Sequence, residues 1–369
     1  MFNWWYKKER PVQGMVGYGG GATGMRMSAG DAWEPSGITA TGGTKITGVT
    51  SPDGTPYTYH AFPAGPHGPD QQYPAPFNVT AVSGPGSIEY MLVAGGGVAG
   101  GSWNPDPTGS HGGGGGGGAG GVVTNFRSPP AQPSVTYHPL YPHSPGAMTV
   151  SVQDYTVLSG RGGGGSPAPE RKGQDSEFNS VNAEGGGNGS NSSPGMTAGD
   201  GGSGGGAGAD GPAAAVGEGT PGQGFPGGNG DGSQSNSAGA GGGAGGIGSP
   251  DGPRLGGNGI SFPSPPAESG TGFFMIPGSY GVAEPTSPDS GTGGRWFAGG
   301  GAGGGPNSSP GTAIAGGWGG GGNSGDPDST GVPGTTGTGS GGGGAGGGPD
   351  NSYYANGGPG MVILRYVDD

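Results

Sequence analysis

Seven consecutive glycines, Gly112–Gly118, set the terms on which this chain can fold. Glycine loses more backbone freedom on folding than any other residue, and each ordered residue costs about 1–2 kcal/mol of conformational entropy. The run is one of several, since Gly319–Gly322 and Gly341–Gly348 (broken only by Ala345) repeat it. In all, 105 of 369 residues are Gly and 38 are Pro, while only 28% are hydrophobic. Burial of side chains cannot offset that cost alone. An ordered form must draw on dense backbone hydrogen bonding or on contacts with other subunits.

The stretch that organises the chain is Ile88–Gly121, where the apolar strand Ile88–Ala94 runs straight into glycine. Later segments repeat this plan: a few sheet-forming residues, then a glycine-rich excursion. Other strands are expected at Ile38–Thr41 and Thr44–Val49, with Gly42-Gly43 as hairpin punctuation between them. Tyr57–Phe62 alternates, placing Tyr57, Tyr59 and Ala61 on one face and Thr58, His60 and Phe62 on the other. Further strands are expected at Phe77–Thr80, Val122–Phe126, Val135–Tyr137, Met148–Leu158 and Glu177–Ala183, with Met361–Val367 closing the chain. Small apolar islands such as Ile260–Phe262, Phe273–Ile276 and Trp296-Phe297 interrupt the glycine-rich remainder.

Four structures compete for the glycine runs. Collagen needs a strict Gly-X-Y register, which Gly112–Gly118 breaks. A flexible linker carries no aromatic islands. A β-solenoid needs a fixed repeat, and none is found. The fourth is a threefold extended helix of the polyproline II type built from polyglycine. Such helices have no internal hydrogen bonds, so buried ones must pair side by side, and only Gly lets backbones approach that closely. The expected fold is therefore all-β: a small β-sandwich framework with long glycine-rich insertions packed as polyglycine II-type helices. The expected divisions are an attachment segment and linker at 1–36, a β-framework at 37–184, a glycine-rich region at 185–356 and a closing strand at 357–369.

Several of these motifs, in this order, resemble the glycine-rich domain of bacteriophage tail-fibre and related virion proteins. The matching residues are Ile88–Gly95 (IEYMLVAG), Phe178–Val181 (FNSV) and Gly360–Tyr366 (GMVILRY), within a resemblance that spans about residues 38–369. In composition the chain is also similar to the tip adhesins of T-even-type phages, which stack polyglycine helices and carry variable loops at the exposed end. It departs from the domain pattern at Leu158 and Ser159 and in the proline-rich insert Pro129–Met148. The resemblance implies a structural virion protein outside the particle, a tail-fibre or fibre-tip component used in host attachment. Its partners would be other phage structural proteins and a host cell-surface glycan or outer-membrane protein, and it would assemble as a homo-oligomer, with a trimer favoured. The alternatives are a capsid-decorating head fibre without receptor specificity and a secreted silk-like surface protein.

The charge and motif content narrow the chemistry. A net charge of −13 disfavours nonspecific binding to nucleic acid or anionic membrane. The absence of cysteine excludes disulfides, thiolate metal sites and cysteine nucleophiles. No leader-like apolar run opens the chain and no window reaches 18 apolar residues. G-x-G-x-x-G recurs as this composition demands, but no Gly-Lys-Ser/Thr accompanies it, so no phosphate loop is expected. The five histidines are scattered, and clusters such as Gly227–Gly232 read as turns. No catalytic residue, metal site or cofactor is expected. Phe2, Trp4, Trp5, Tyr6, Lys7, Lys8 and Arg10 are the candidate virion-docking cluster, because aromatic and Arg side chains are enriched at protein interfaces. Trp103, Tyr137, Tyr141, Trp296 and Trp318, standing among Gly, Pro, Asn and Asp, are the candidate receptor-contact loop aromatics; the competing reading, which carries more weight for Trp296 and Trp318, is that they plug the ends of glycine helices as local mini-cores.

Overall fold

A computed structural model describes residues 36–51, 54–65, 73–102, 112–125, 148–164, 172–192, 197–209, 216–230, 237–262, 276, 280–283, 294–306, 313–348 and 354–368. The fold is all-β, with no helix among the described residues. The strands are β1 (Ile38–Thr41), β2 (Thr44–Thr50), β3 (Pro56–Pro63), β4 (Tyr73–Val82), β5 (Ser87–Val93), β6 (Val122–Thr124), β7 (Met148–Thr149), β8 (Gln153–Ser159), β9 (Ser176–Phe178), β10 (Val181–Ala183), β11 (Ile260–Phe262), β12 (Val282–Ala283), β13 (Arg295–Phe297) and β14 (Met361–Val367).

They form three antiparallel sheets. An outer sheet has the order β1-β4-β8-β9-β10, and a central sheet runs β2-β3-β14-β5-β6, with β7 also paired to β5. A small sheet has the order β11-β13-β12. The central sheet is covered on both faces, which explains why β14 is buried at every position and β5 at all but its first. Val362, Leu364 and Tyr366 point into the core shared with the outer sheet, beside Phe77, Val157 and Phe178. Met361, Ile363 and Val367 point the other way, toward Phe262 and Phe297 of the small sheet. The predicted faces of β3 hold: Tyr57, Tyr59 and Ala61 join the second core, and Phe62 joins the first.

Three sequence expectations are corrected. Gly42 and Gly43 do not close a hairpin, because β1 pairs with β4 in the outer sheet and β2 with β3 in the central one. Both glycines have positive φ, at 118° and 57°, and carry the chain from one sheet to the other. Glu177–Ala183 is not a single strand. Asn179 and Ser180, with φ of 44° and 65°, make a two-residue turn that pairs Val181 back on Phe178. Met148–Leu158 breaks into β7 and β8, and Val152 between them is exposed. Val135–Tyr137 and Phe273–Met275 lie outside the described residues.

Away from the sheets, glycine-rich segments bond to one another in a regular array centred on residues 113–121. The amides of Gly114, Gly117 and Gly120 donate to Ala345, Gly342 and Gly339; those of Gly115, Gly118 and Gly121 donate to Ser190, Gly187 and Glu184; those of Gly116 and Ala119 donate to Gly239 and Gly242. These bonds measure 2.8–3.0 Å. The central carbonyls accept in the same cycle of three, from Ala94, Gly97 and Gly100, from Ser203, Gly206 and Ala209, and from Gly301 and Gly304. Six segments thus surround the central one. They also bond to each other around a closed ring, through Gly186 to Gly95, Gly187 to Ser203, Gly239 to Ala207, Gly241 to Gly301, Gly341 to Gly299 and Gly342 to Gly97. Nearly every buried backbone group in this centre is therefore paired, as order in so glycine-rich a chain requires. The array draws on residues 94–102 and 112–121 as well as on described segments of the 185–356 region, and β14 follows it into the middle of the central sheet.

Candidate functional site

The glycine array has two unlike ends. At one end its segments pass directly into strands: Val93 to Ala94, Gly121 to Val122, Phe297 to Ala298 and Gly360 to Met361. Reversals at this end are short, such as the turn closed by Gln223 N donating to Thr220 O and that closed by Gly321 N donating to Gly317 O. At the other end lie Ser102, Gly113, Ser192, Ala209, Gly304 and Ala345. The ladder fixes this: Ser192 N donates to Gly101 O, Ala209 N to Gly113 O, Gly304 N to Gly114 O and Ala345 N to Gly100 O. Six stretches outside the described residues, 103–111, 193–196, 210–215, 231–236, 307–312 and 349–353, are flanked by described residues at or near these positions.

The chain's entry lies at the opposite extreme. Ser36 donates from its Oγ to Val367 O at 2.7 Å, and Asp368 N donates to Pro56 O. Both contacts sit at the end of β14 farthest from the array, which starts at Met361. The route from residue 36 to the far end of the array thus crosses the length of the sheets and then that of the array.

The predicted site residues divide. Phe2, Trp4, Trp5, Tyr6, Lys7, Lys8, Arg10, Trp103, Tyr137 and Tyr141 all lie outside the described residues. Trp296 corrects the expectation of an exposed loop aromatic. It sits in the middle strand of the small sheet, opposite Ser261 and Val282, and has no exposed surface. Trp318 is half-buried against it, with ring centroids 5.3 Å apart at 63°, in the edge-on arrangement that aromatic pairs favour. The two rings seal the sheet-side end of the array, because a short strand flanked on both sides must bury its large side chains.

Two buried polar clusters were not anticipated. In the second core Arg365 donates from Nε to the Glu89 carboxylate and from Nη1 to the Tyr59 hydroxyl at 3.1 Å. Its guanidinium lies 4.1 Å from the Tyr57 ring centroid. Burial alone would disfavour the charge, but the Glu89 carboxylate outweighs it and drives the pKa upward, so Arg365 stays charged. The sequence signal was present: Glu89 and Arg365 are the lone charges in two near-continuous apolar strands, and they stand opposite each other in the ladder.

On the other face His60 places Nδ1 2.7 Å from Gly42 O and Nε2 3.3 Å from the Tyr366 hydroxyl. Burial lowers the His60 pKa, partly offset by the bond to Gly42. Burial also pushes the Tyr366 hydroxyl up to about 12, so it stays protonated. The unfolded chain takes up a proton on this histidine near pH 6.5 whereas the folded chain does so only at lower pH. Stability is therefore expected to be full above pH 6.5 and to fall as pH drops below it. Thermal melts at pH 7.5, 6 and 5 should show this loss in the parent and a weaker one in His60→Gln.

A shallow cavity of about 280 Å³ on the outer sheet is lined by Asp154, Tyr155, Thr156, Leu158, Glu177, Asn179 and Ser180. Its lining offers no histidine or lysine beside the carboxylates, and the Tyr155 hydroxyl already accepts from Ser151 N at 2.9 Å. Among the described residues no three of His, Cys, Asp and Glu stand close enough together to hold a metal ion.

The sequence profile described as a glycine-rich domain matches residues 72–367. No curated protein and no solved structure matches the chain. The matched span runs from β4 to the end of β14 and takes in the whole glycine array, so the chain belongs to the glycine-rich domain family.

Proposed function

We propose that this chain is a structural virion protein of a bacteriophage, a non-enzymatic fibre or fibre-tip component that presents the far end of its glycine array to the host. The observation that carries this reading is the polarity of the molecule. Residue 36, to which the aromatic and basic N-terminal segment is joined, lies at one extreme, and Ser102, Gly113, Ser192, Ala209, Gly304 and Ala345 lie at the other. A rigid scaffold with recognition at its loop ends is a recurrent arrangement. The array segments are read as polyglycine II-type helices. Hydrogen bonds that recur every third residue and a surround of six neighbours support this, because the polyproline II geometry has three residues per turn. The N-terminal segment docks on other phage structural proteins, the protein sits on the particle exterior, and the partner at the far end is a host glycan or outer-membrane protein. Copies associate as a homo-oligomer.

The test joins imaging to adsorption. Antibody to the array should label fibre or tail ends of intact particles, and purified protein should compete with particles for host cells. Trp103→Ser protein should compete less well. Label spread over the head, with no competition, would replace this reading by capsid decoration.

A further inference from the structure

The sequence contains four Asn-Gly pairs, Asn188-Gly189, Asn229-Gly230, Asn258-Gly259 and Asn356-Gly357, all in glycine-rich segments. An asparagine before glycine is chemically unstable wherever its backbone can turn. The glycine nitrogen then reaches the side-chain carbonyl carbon, and no Cβ on the glycine stands in the way.

Three of the four pairs are held on both sides of the peptide unit. The amide of Gly189 donates to Val98 O at 2.9 Å, that of Gly259 to Trp318 O at 2.7 Å and that of Gly357 to Gly163 O at 3.0 Å. The carbonyls of Asn188, Asn258 and Asn356 accept from the amides of Gly199, Gly245 and Gly334. Turning any of these units breaks two backbone hydrogen bonds. Two of the side chains are engaged as well: Asn188 Nδ2 donates to Gly189 O, and Asn258 Oδ1 accepts from Trp318 N.

Asn229-Gly230 is held differently. The Gly230 amide donates no hydrogen bond among the described residues, so the unit is anchored only by Asn229 O, which accepts from Asp251 N at 2.9 Å. The Asn229 side chain forms no hydrogen bond among the described residues. It is exposed, whereas the other three asparagines are half-buried.

We propose that Asn229 is a site of spontaneous modification, deamidating through a cyclic imide closed by the Gly230 nitrogen. That nitrogen bonds to the side-chain carbonyl carbon, the bond from this carbon to the side-chain nitrogen breaks, and ammonia leaves with the proton from Gly230. Water then opens the ring at either carbonyl, giving aspartate or isoaspartate. Both products add a negative charge, and isoaspartate reroutes the main chain through the side chain, displacing the carbonyl that Asp251 N uses. The change falls near the far end of the array, because Gly228 O accepts from Ala207 N, two residues before Ala209. The inference does not depend on the virion reading.

The full chain is aged at mildly alkaline pH, where the attacking nitrogen gives up its proton more readily, and sampled over weeks. Peptide mapping by mass spectrometry follows the amide-to-acid change at each pair. A parallel sample in urea gives the rate of each pair in the unfolded chain and corrects for the flanking residues. After that correction Asn229 should convert roughly 2- to 10-fold faster than the other three, the factor supplied by about one backbone hydrogen bond. An isoaspartate methyltransferase should label the Asn229 peptide first. Equal corrected rates, faster conversion at Asn188, Asn258 or Asn356, or a folded chain that spares all four would overturn the assignment.

Discussion

Gly117→Ala is expected to destabilise the protein by about 3 kcal/mol or more, at or above the top of the range for inserting a methyl group into a packed interior. A Cβ at Gly117 would stand 2.2 Å from Gly97 O, with Val98 O only 3.0 Å away. The atoms in its way are backbone, held in the ladder by Gly97 N donating to Gly118 O and Gly117 N to Gly342 O. Neither can retreat without breaking a hydrogen bond in the centre of the array, and nothing flexible is available to move. Gly252→Ala is the matched control, because a Cβ there meets nothing within 4 Å. It should shift the denaturation midpoint by no more than about 0.5 kcal/mol. Equal effects from the two substitutions would mean that the centre is not close-packed in solution.

The second large effect is expected at the buried ion pair. Arg365→Met leaves the Glu89 carboxylate in the second core without its partner, and breaking a buried pair costs about 3–5 kcal/mol. Glu89→Gln should cost a similar amount by stranding the guanidinium. The double replacement Glu89→Leu/Arg365→Leu should recover much of the loss, since removing both charges also removes their desolvation. A denaturant series on the four proteins completes the cycle. If the double variant is as unstable as the sum of the singles, the pair contributes little beyond side-chain packing, and the Arg365 contacts with Tyr57 and Tyr59 are its more important ones.

How much of this was legible depends on what the residues encode. The strands at Ile88–Val93 and Met361–Val367 were readable because a strand covered on both faces must be apolar nearly throughout. Their partners were not, because the choice between sheets at Gly42-Gly43 lies in backbone angles that glycine permits without requiring. The array was foreseeable in kind from the glycine runs alone. Its arrangement was hidden, since glycine has no side chain to mark a neighbour. Register is imposed instead by the strands at its base, as where β5 and β6 launch the adjacent segments 94–102 and 113–121. Trp296 admitted two readings, an exposed contact and a buried plug, for a related reason. Small flanking residues look like an exposed loop in sequence, and they also form the close-packed surroundings of a short buried strand. Glu89 and Arg365 could have been paired by register, had the antiparallel contact between their strands been assumed.

The position of β14 governs when the molecule can fold. It lies between β3 and β5, yet His60 and its cross-strand neighbourhood at Tyr366 are 306 residues apart in the chain. Every glycine segment must be synthesised before the central sheet can close. Until then β3 and β5 each present an unpaired apolar edge, the kind of surface that recruits other chains. Contacts of such long range also make folding slow. Closure of the central sheet therefore waits for every glycine segment, and the nascent chain passes through an interval in which protection from aggregation has to come from outside the fold.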